Sequence, residues 1–591
     1  MKFLKIFLAS LLAVVVGGVV SSLLWLFVFI GLAGSIESTT EVKPNSVLMV
    51  DLAEDITDAP PTNPLGAIDF NSFTVRKQLS LMQALRSIKA AEKDDRIKGI
   101  YLRLNGEGVA DIAAVEELRT AIEEFKQCGK FVVAFNEVYS QSGYYLASVA
   151  DKIYIQPEGG MNWQGLSSTL IFYTGLFEKL DINVDIFRPT ACKYKSAVEP
   201  YFLKKMSADN RRQLAALGDS SWNVIVEAVS ASRGIDKKVL NSLADRLAVT
   251  MPEEALKHKF VDALIYEDQM NEVFKELGVE LNDDDECELV SLGEYASQVV
   301  DLQNISADKV AIVYAEGQIL DGTGEQEAIY GQTMAETIKS VRLDDKVKAV
   351  VLRVNSPGGS ALASDVIWRE IELLKAEKPV VVSMGSVAAS GGYYISAPSD
   401  VIVANKMTLT GSIGVFGMVM NPTNLLTNKV GVSFDSVKTN EHSTFGSFGH
   451  NIDAAERAVI MKGVDKVYTR FTSLVSEGRN LPIEKVLDLA AGRVWTGVQA
   501  QENGLVDTLG GLYTAIALAA EKADLENYRV HEVTSVEDPF TALLSGLGAK
   551  VRAAVLRSEM GSETYTQYSK VKSVISKNGI MTMMPYEIVF E

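Results

Sequence analysis

Cysteine and histidine are scarce in this 591-residue chain, which has three cysteines (Cys128, Cys192, Cys287) and four histidines (His258, His442, His450, His531). Three scattered cysteines build neither a disulfide framework nor a thiolate metal site. Four scattered histidines leave little material for a zinc centre, so no metal is expected. Positive charge is short as well. The formal net charge is −19, and a surface of that sign repels phosphates, which argues against nucleic acid as a partner. The acidic run Asp283–Glu286 reads as a solvated loop. No charge at all falls between Lys5 and Glu37. That run exceeds the about 20 apolar residues a bilayer requires and the ~7–15 of a cleaved signal peptide. Residues 1–36 are therefore expected to be an uncleaved transmembrane anchor. Lys2 and Lys5 before it put the N-terminus in the cytoplasm and the bulk of the chain outside.

What the chain has in abundance is itself, twice over. Ile100–Asn105 (IYLRLN) matches Val350–Asn355 (VVLRVN), and Ala150–Ile155 matches Ser399–Ala404. Further on, Ala231–Thr250 matches Ser476–Thr496, and Phe260–Leu264 matches Leu505–Leu509. Offsets between about 245 and 250 residues mark a tandem duplication. Within each copy, short apolar runs alternate with helical patterns, for example Leu362, Val366, Ile367, Ile371 and Leu374. Such alternation predicts an α/β fold with a parallel sheet covered on both faces. The copies are placed at 45–275 and 305–525. Residues 526–591 have no assigned role, although their apolar end, Gly579–Glu591, is suited to docking.

Three segments carry candidate chemistry. In Arg353–Ser360 (RVNSPGGS), Pro357 and the two glycines turn a strand sharply into a helix. The turn is either only a turn or a source of backbone N–H groups for an oxyanion. Ser390 lies in AASGGYY, between a strand and a helix, where a serine can be a plain N-cap. Its neighbours Ala388, Ala389, Gly391 and Gly392 are small enough to admit a bound chain, and the Gly391 N–H is placed to serve as an oxyanion donor. Lys195 lies in Cys192–Pro200 (CKYKSAVEP), and a lysine neutralised by burial can deprotonate a serine. Matched on their Tyr-Tyr pairs, the copies set Gln141 opposite Ser390. The counterpart of the lysine segment, Ser443–Phe448, has no lysine. One complete site therefore needs both copies. A competing serine, Ser412, sits in Thr408–Gly417 (TLTGSIGVFG), where Thr410–Gly414, with Gly411, reads as a wall of a substrate groove.

Together LRVNSPGGS, VAASGGYY, TLTGSIGVFG, YKSAVEP and GRVWTGVQAQENGLVD resemble the signal peptide peptidase A (protease IV) family in its long, duplicated, membrane-anchored form. The resemblance spans nearly the whole chain. It implies a tandem Clp protease/crotonase-like fold preceded by one transmembrane helix, with Ser390 as nucleophile and Lys195 as general base. Gly359 and Gly391 become the oxyanion donors, and Ser412 a helper of the lysine. It further implies a serine endopeptidase that degrades released signal peptides and other apolar peptides. The place would be the outer, periplasmic face of a bacterial cytoplasmic membrane, the assembly a homotetramer, and no cofactor would be needed. Two rivals remain. A crotonase-like acyl-CoA enzyme would lack coenzyme A outside the cytoplasm. A non-catalytic, membrane-tethered peptide-binding scaffold would need neither Ser390 nor Lys195.

Overall fold

The computed structural model describes residues 42–51, 55–60, 68–69, 74–75, 78–104, 111–299, 306–324, 328–447, 449–533 and 579–584, with isolated positions between 14 and 21. The expected membrane anchor thus lies almost wholly outside the described residues. Among the described residues no helix is long and apolar enough to cross a membrane.

Each copy builds a parallel sheet from its apolar runs. In the first, the strands run in spatial order Ala263–Leu264, Lys152–Met161, Phe131–Tyr139, Ile97–Arg103, Ser46–Asp51 and Leu289–Ser291. The second repeats the plan with Thr508–Leu509, Val401–Ala404, Val380–Ala389, Val347–Ser356, Lys309–Glu316 and Arg529–Val533. Both faces of these sheets are covered, which is why Val347–Leu352 and Val380–Met384 are near-continuous apolar runs rather than alternating ones. The strand Val380–Ala389 forks: its first half pairs with Val401–Ala404 and its last three residues with Leu409–Gly411.

The expected boundaries fall short. Leu289–Ser291 pairs with the first strand, so the first unit continues past 275 to helix Leu292–Gln298. Arg529–Val533 pairs with Lys309–Glu316, so the second continues past 525. The acidic run 283–286 is exposed, as expected. Helix Ala361–Lys375 buries Ile367, Ile371 and Leu374, but Leu362, expected on the same face, is 68% exposed in the first turn. A third, mixed sheet runs Ala328–Tyr330, Gln318–Leu320, Gly358–Ser360, Gly579–Met583, Phe416–Asn421 and Asn183–Phe187. Its last strand comes from the first copy, and Gly579–Met583 from the segment that had no assigned role.

The two copies are locked by buried charge. Arg353, fully buried in the second copy, lies 2.8 Å from Asp58 and 2.9 Å from Glu117 of the first. Glu117 also accepts from Asn405 and the Leu512 N–H, and Glu116 from the Lys406 N–H. The matching arginine of the first copy, Arg103, pairs with Glu267 at a partly exposed site. These twin positions predict different costs. Arg353→Met strands two buried carboxylates and should lower stability by about 3–5 kcal/mol. Arg103→Met should cost about 0–1 kcal/mol. Urea denaturation midpoints of the two variants measure the difference.

Candidate functional site

Ser390 follows the strand Val380–Ala389 directly and stands at the N-cap of helix Gly391–Ser396. Its backbone is at φ 57°, ψ −112°, and its side chain caps nothing. A non-glycine residue in that region costs of order 1–3 kcal/mol and persists only where its surroundings impose it. Here its N–H donates to Gly411 O (2.8 Å) and its carbonyl accepts from Tyr394 N (2.8 Å). The first copy differs in one informative way. Helix Gln141–Ala147 is capped by Ser140, at φ −70°, whose hydroxyl accepts the Gly143 N–H. By strand-to-helix register it is Ser140, not Gln141, that stands opposite Ser390. The first copy has one more residue before its Tyr-Tyr pair, and that shifted the sequence match. Ser140 is thus the plain N-cap that Ser390 is not.

Lys195 is fully buried, and Lys195 Nζ lies 2.8 Å from Ser390 Oγ. The same nitrogen is 2.9 Å from Ser412 O and 2.9 Å from Ser412 Oγ. As an ammonium the nitrogen donates to all three oxygens; once neutral, with two N–H donors and one lone pair, it can keep both bonds to Ser412 and accept from the Ser390 hydroxyl. Among the described residues no carboxylate pairs with this lysine. Burial therefore acts almost unopposed and pushes its pKa down to about 7, only slightly countered by Cys192. The lysine is set by a crossing of the two copies. The Tyr194 N–H donates to Ala491 O, and Arg188 Nη1 to Lys195 O. Ser412, itself at φ 50°, is held by its N–H on Arg493 O (2.7 Å).

The expected backbone donors are close together. Gly391 opens the helix, and a Cβ placed on it would come 3.1 Å from Gly359 N and 3.0 Å from Gly358 Cα. Only glycine allows that approach. Gly359 pairs with Thr582 of the C-terminal strand on one side and Ile319 on the other. Gly411 pairs with Ala389 and Val494 at φ +76°. Ser390, Lys195, Ser412, Gly359, Gly391 and Gly411 are therefore gathered at one buried site. The residues that sequence reasoning missed are Gly492 and the strand Gly579–Met583. Gly492 stands at φ +77°, and a Cβ there would lie 2.6 Å from both Lys195 N and Lys195 Cβ. Its signal was present in AAGRVWTG, as a glycine just before a strand.

Two other features lie apart from these residues. His442, Asp453 and Glu456 offer metal-ligand chemistry, but both carboxylates already form the capping box of helix Ala454–Gly478. A cavity of about 660 Å³ lined by Leu176, Phe177, Met420, Leu425, Phe445 and neighbours contains neither Ser390 nor Lys195. Chemically, the site can draw a proton from a serine hydroxyl into an uncharged amine. Gly492→Ala should push Lys195 off Ser390, lowering any Ser390-dependent rate by about 100-fold or more, since a displacement of about 1 Å costs that much. Circular dichroism and a rate measurement on the same sample check that the fold survives while the rate falls.

A family model described as Peptidase family S49 matches residues 124–282 and 372–526. Protease 4 of Salmonella typhi is 35% identical over 530 residues, covering 87% of this chain and 84% of that protein. Serine protease SPPA, chloroplastic, of Arabidopsis thaliana is 32% identical over 521 residues, 86% of this chain and 74% of that one. A solved ClpP1 chain from Listeria monocytogenes overlays 36% of this chain and 95% of its own at 15% identity and a TM-score of 0.24, a likeness too low to argue from.

Proposed function

Because this chain belongs to peptidase family S49, and is thereby a serine peptidase, we propose that it hydrolyses apolar peptides with a Ser390/Lys195 dyad divided between its two repeats. The observation that carries this reading is the 2.8 Å contact of a buried lysine, with no counter-charge among the described residues, with a strained serine. Ser390 Oγ attacks a peptide carbonyl as its proton passes to Lys195 Nζ. The Gly391 N–H, with the Gly358–Gly359 turn, faces the developing oxyanion. The lysine ammonium then gives its proton to the leaving amine, and water repeats the cycle on the acyl-enzyme. Ser412 orients the amine through two hydrogen bonds and does not attack.

The finer reading is a tandem Clp protease/crotonase-type enzyme, anchored by residues 1–36 in a bacterial cytoplasmic membrane with its catalytic repeats on the periplasmic side. There it degrades released signal peptides as a homotetramer. The charge-free run from Ile6 to Ile36 supports the anchor. The tetramer rests on the family resemblance alone. The scaffold alternative is disfavoured, because a pure peptide binder has no use for a strained serine on a buried amine.

Ser390→Ala and Lys195→Arg should each lower kcat/KM by about 10³-fold or more, arginine failing because guanidinium stays protonated. Ser412→Ala, losing a hydrogen bond, should cost about 2- to 10-fold. Full activity in purified Ser390→Ala would sink the assignment. The pH profile has a definite sign. Only neutral lysine accepts the proton, so kcat/KM should rise with pH through about 7 and then level off. A pH–rate series on a short apolar peptide shows whether that limb exists and whether fluorophosphonate labelling of Ser390 follows it.

A further inference from the structure

No metal is expected from four scattered histidines, yet folding brings two of them to one buried carboxylate. Helix Ala454–Gly478 opens with a capping box. Asp453 Oδ1 accepts the Glu456 N–H at 2.8 Å, and Glu456 Oε2 accepts the Asp453 N–H at 3.1 Å. The box uses one oxygen of each carboxylate. The other two oxygens, Asp453 Oδ2 and Glu456 Oε1, each lie 3.3 Å from His442 Nδ1. His450 Nε2 stands 2.7 Å from Glu456 Oε2, the oxygen already engaged in the box. The Glu456 side chain is only 3% exposed, whereas those of His442 and Asp453 are close to half-exposed.

These contacts do not close as hydrogen bonds. One ring nitrogen carries at most one proton, so His442 Nδ1 serves only one of the two oxygens that face it. Among the described residues no lysine or arginine pairs with Asp453 or Glu456. The helix N-terminus offers about half an elementary charge, which leaves two carboxylates undercompensated. The spacing suits a metal ion. Ligands bonded at about 2.0–2.1 Å to a tetrahedral ion stand about 3.3–3.4 Å apart, which is the separation of Nδ1 from each oxygen. All three atoms lie within 4.8 Å of one another. An imidazole beside carboxylates selects zinc and its transition-metal neighbours over Mg²⁺ and Ca²⁺, which take oxygen ligands. Ligating carboxylates are ordinarily held by outer hydrogen bonds. Here Asp453 is held by the Glu456 N–H, and Glu456 by the Asp453 N–H and His450.

We propose that His442 Nδ1, Asp453 Oδ2 and Glu456 Oε1 bind a divalent cation of the zinc type, with His450 orienting Glu456 and water completing the shell on the exposed side. His442 coordinates as the tautomer whose proton is on Nε2. The site is independent of the Ser390/Lys195 reading and serves structure rather than hydrolysis. It ties segment 432–453, which has neither helix nor strand among its described residues, to the helix that follows. Segments of that length without regular structure are usually functional or disordered, and a metal clip gives this one a fixed course. Phe445, Gly446, His450 and Ile452 of the same segment wall the cavity of about 660 Å³, so the ion holds that wall in place.

Calorimetric titration of Zn²⁺ into the full-length protein, prepared without a histidine tag and stripped of metal by a chelator, tests the proposal. The wild type should bind one ion per chain. His442→Gln and Asp453→Asn should each weaken that binding by more than about 100-fold, and His450→Ala, which removes an outer contact alone, by about 10- to 100-fold. Asparagine caps a helix about as well as aspartate, so Asp453→Asn removes the ligand and keeps the cap, and its circular dichroism should match the wild type. If that variant fails to fold, His442→Gln, at a half-exposed side chain, carries the test. Saturating Zn²⁺ should also slow proteolytic nicking within 432–452 in the wild type and leave it unchanged in His442→Gln. A wild type without saturable Zn²⁺ binding overturns the proposal. So does binding that survives both His442→Gln and Asp453→Asn, because the ion then sits on other residues. Displacement of Zn²⁺ by excess Mg²⁺ overturns the zinc-type assignment.

Discussion

Arg353 reaches from one repeat into the other and is neutralised there by Asp58 and Glu117, and the remaining geometry depends on that burial. A buried guanidinium without partners is untenable, and buried carboxylates without their cation are no better. The two repeats can thus be docked with these charges matched and not otherwise. Docking is what brings a lysine of one repeat within 2.8 Å of a serine of the other. A functional pair must be held to about 0.5 Å, and a non-directional apolar interface would not define position so narrowly. Helix Ile112–Lys126 shows how dense the lock is. Asp111 at its N-cap accepts from Asn355, while Glu116 and Glu117 collect backbone N–H groups from the facing repeat.

The proposed dyad is built on the opposite principle. At the repeat interface Arg353 is met by two carboxylates, Asp58 and Glu117, whereas at Lys195 counter-charge is withheld. A carboxylate beside the amine would hold its proton and disable it as a base. Ser412 supplies neutral acceptors instead, which orient the nitrogen without raising its proton affinity as an anion would. One chain thus uses burial in two ways, to enforce an ion cluster and to discharge an ammonium.

Much of this was legible in the residues. The duplication showed because buried parallel strands are written as contiguous apolar runs, and two sets of them recur at one spacing. Ser390 stood out by its small neighbours, and Lys195 by having no counterpart in the other copy. Local sequence hid other features for physical reasons. Arg103 and Arg353 sit in nearly identical LRLN and LRVN contexts, and only tertiary surroundings make one a surface pair and the other an interface lock. Leu289–Ser291 is three residues long, too short for periodicity to reveal, yet it extends the first unit beyond 275. A single extra residue before Tyr144 misaligned Gln141 with Ser390, since register is lost by one-residue slips. The apolar C-terminal end invited docking, but its ladder partners are remote in sequence, and only pairing identifies them.

The proposed division of the dyad between repeats also orders events in time. Lys195 and Ser390 are separated by 195 residues, and a ribosome adding about 5–20 residues per second needs roughly 10–40 s to traverse that interval. Through that interval the nascent chain has the lysine of the proposed dyad and not its serine, so on that reading a protease assembled this way stays chemically silent while its first half emerges.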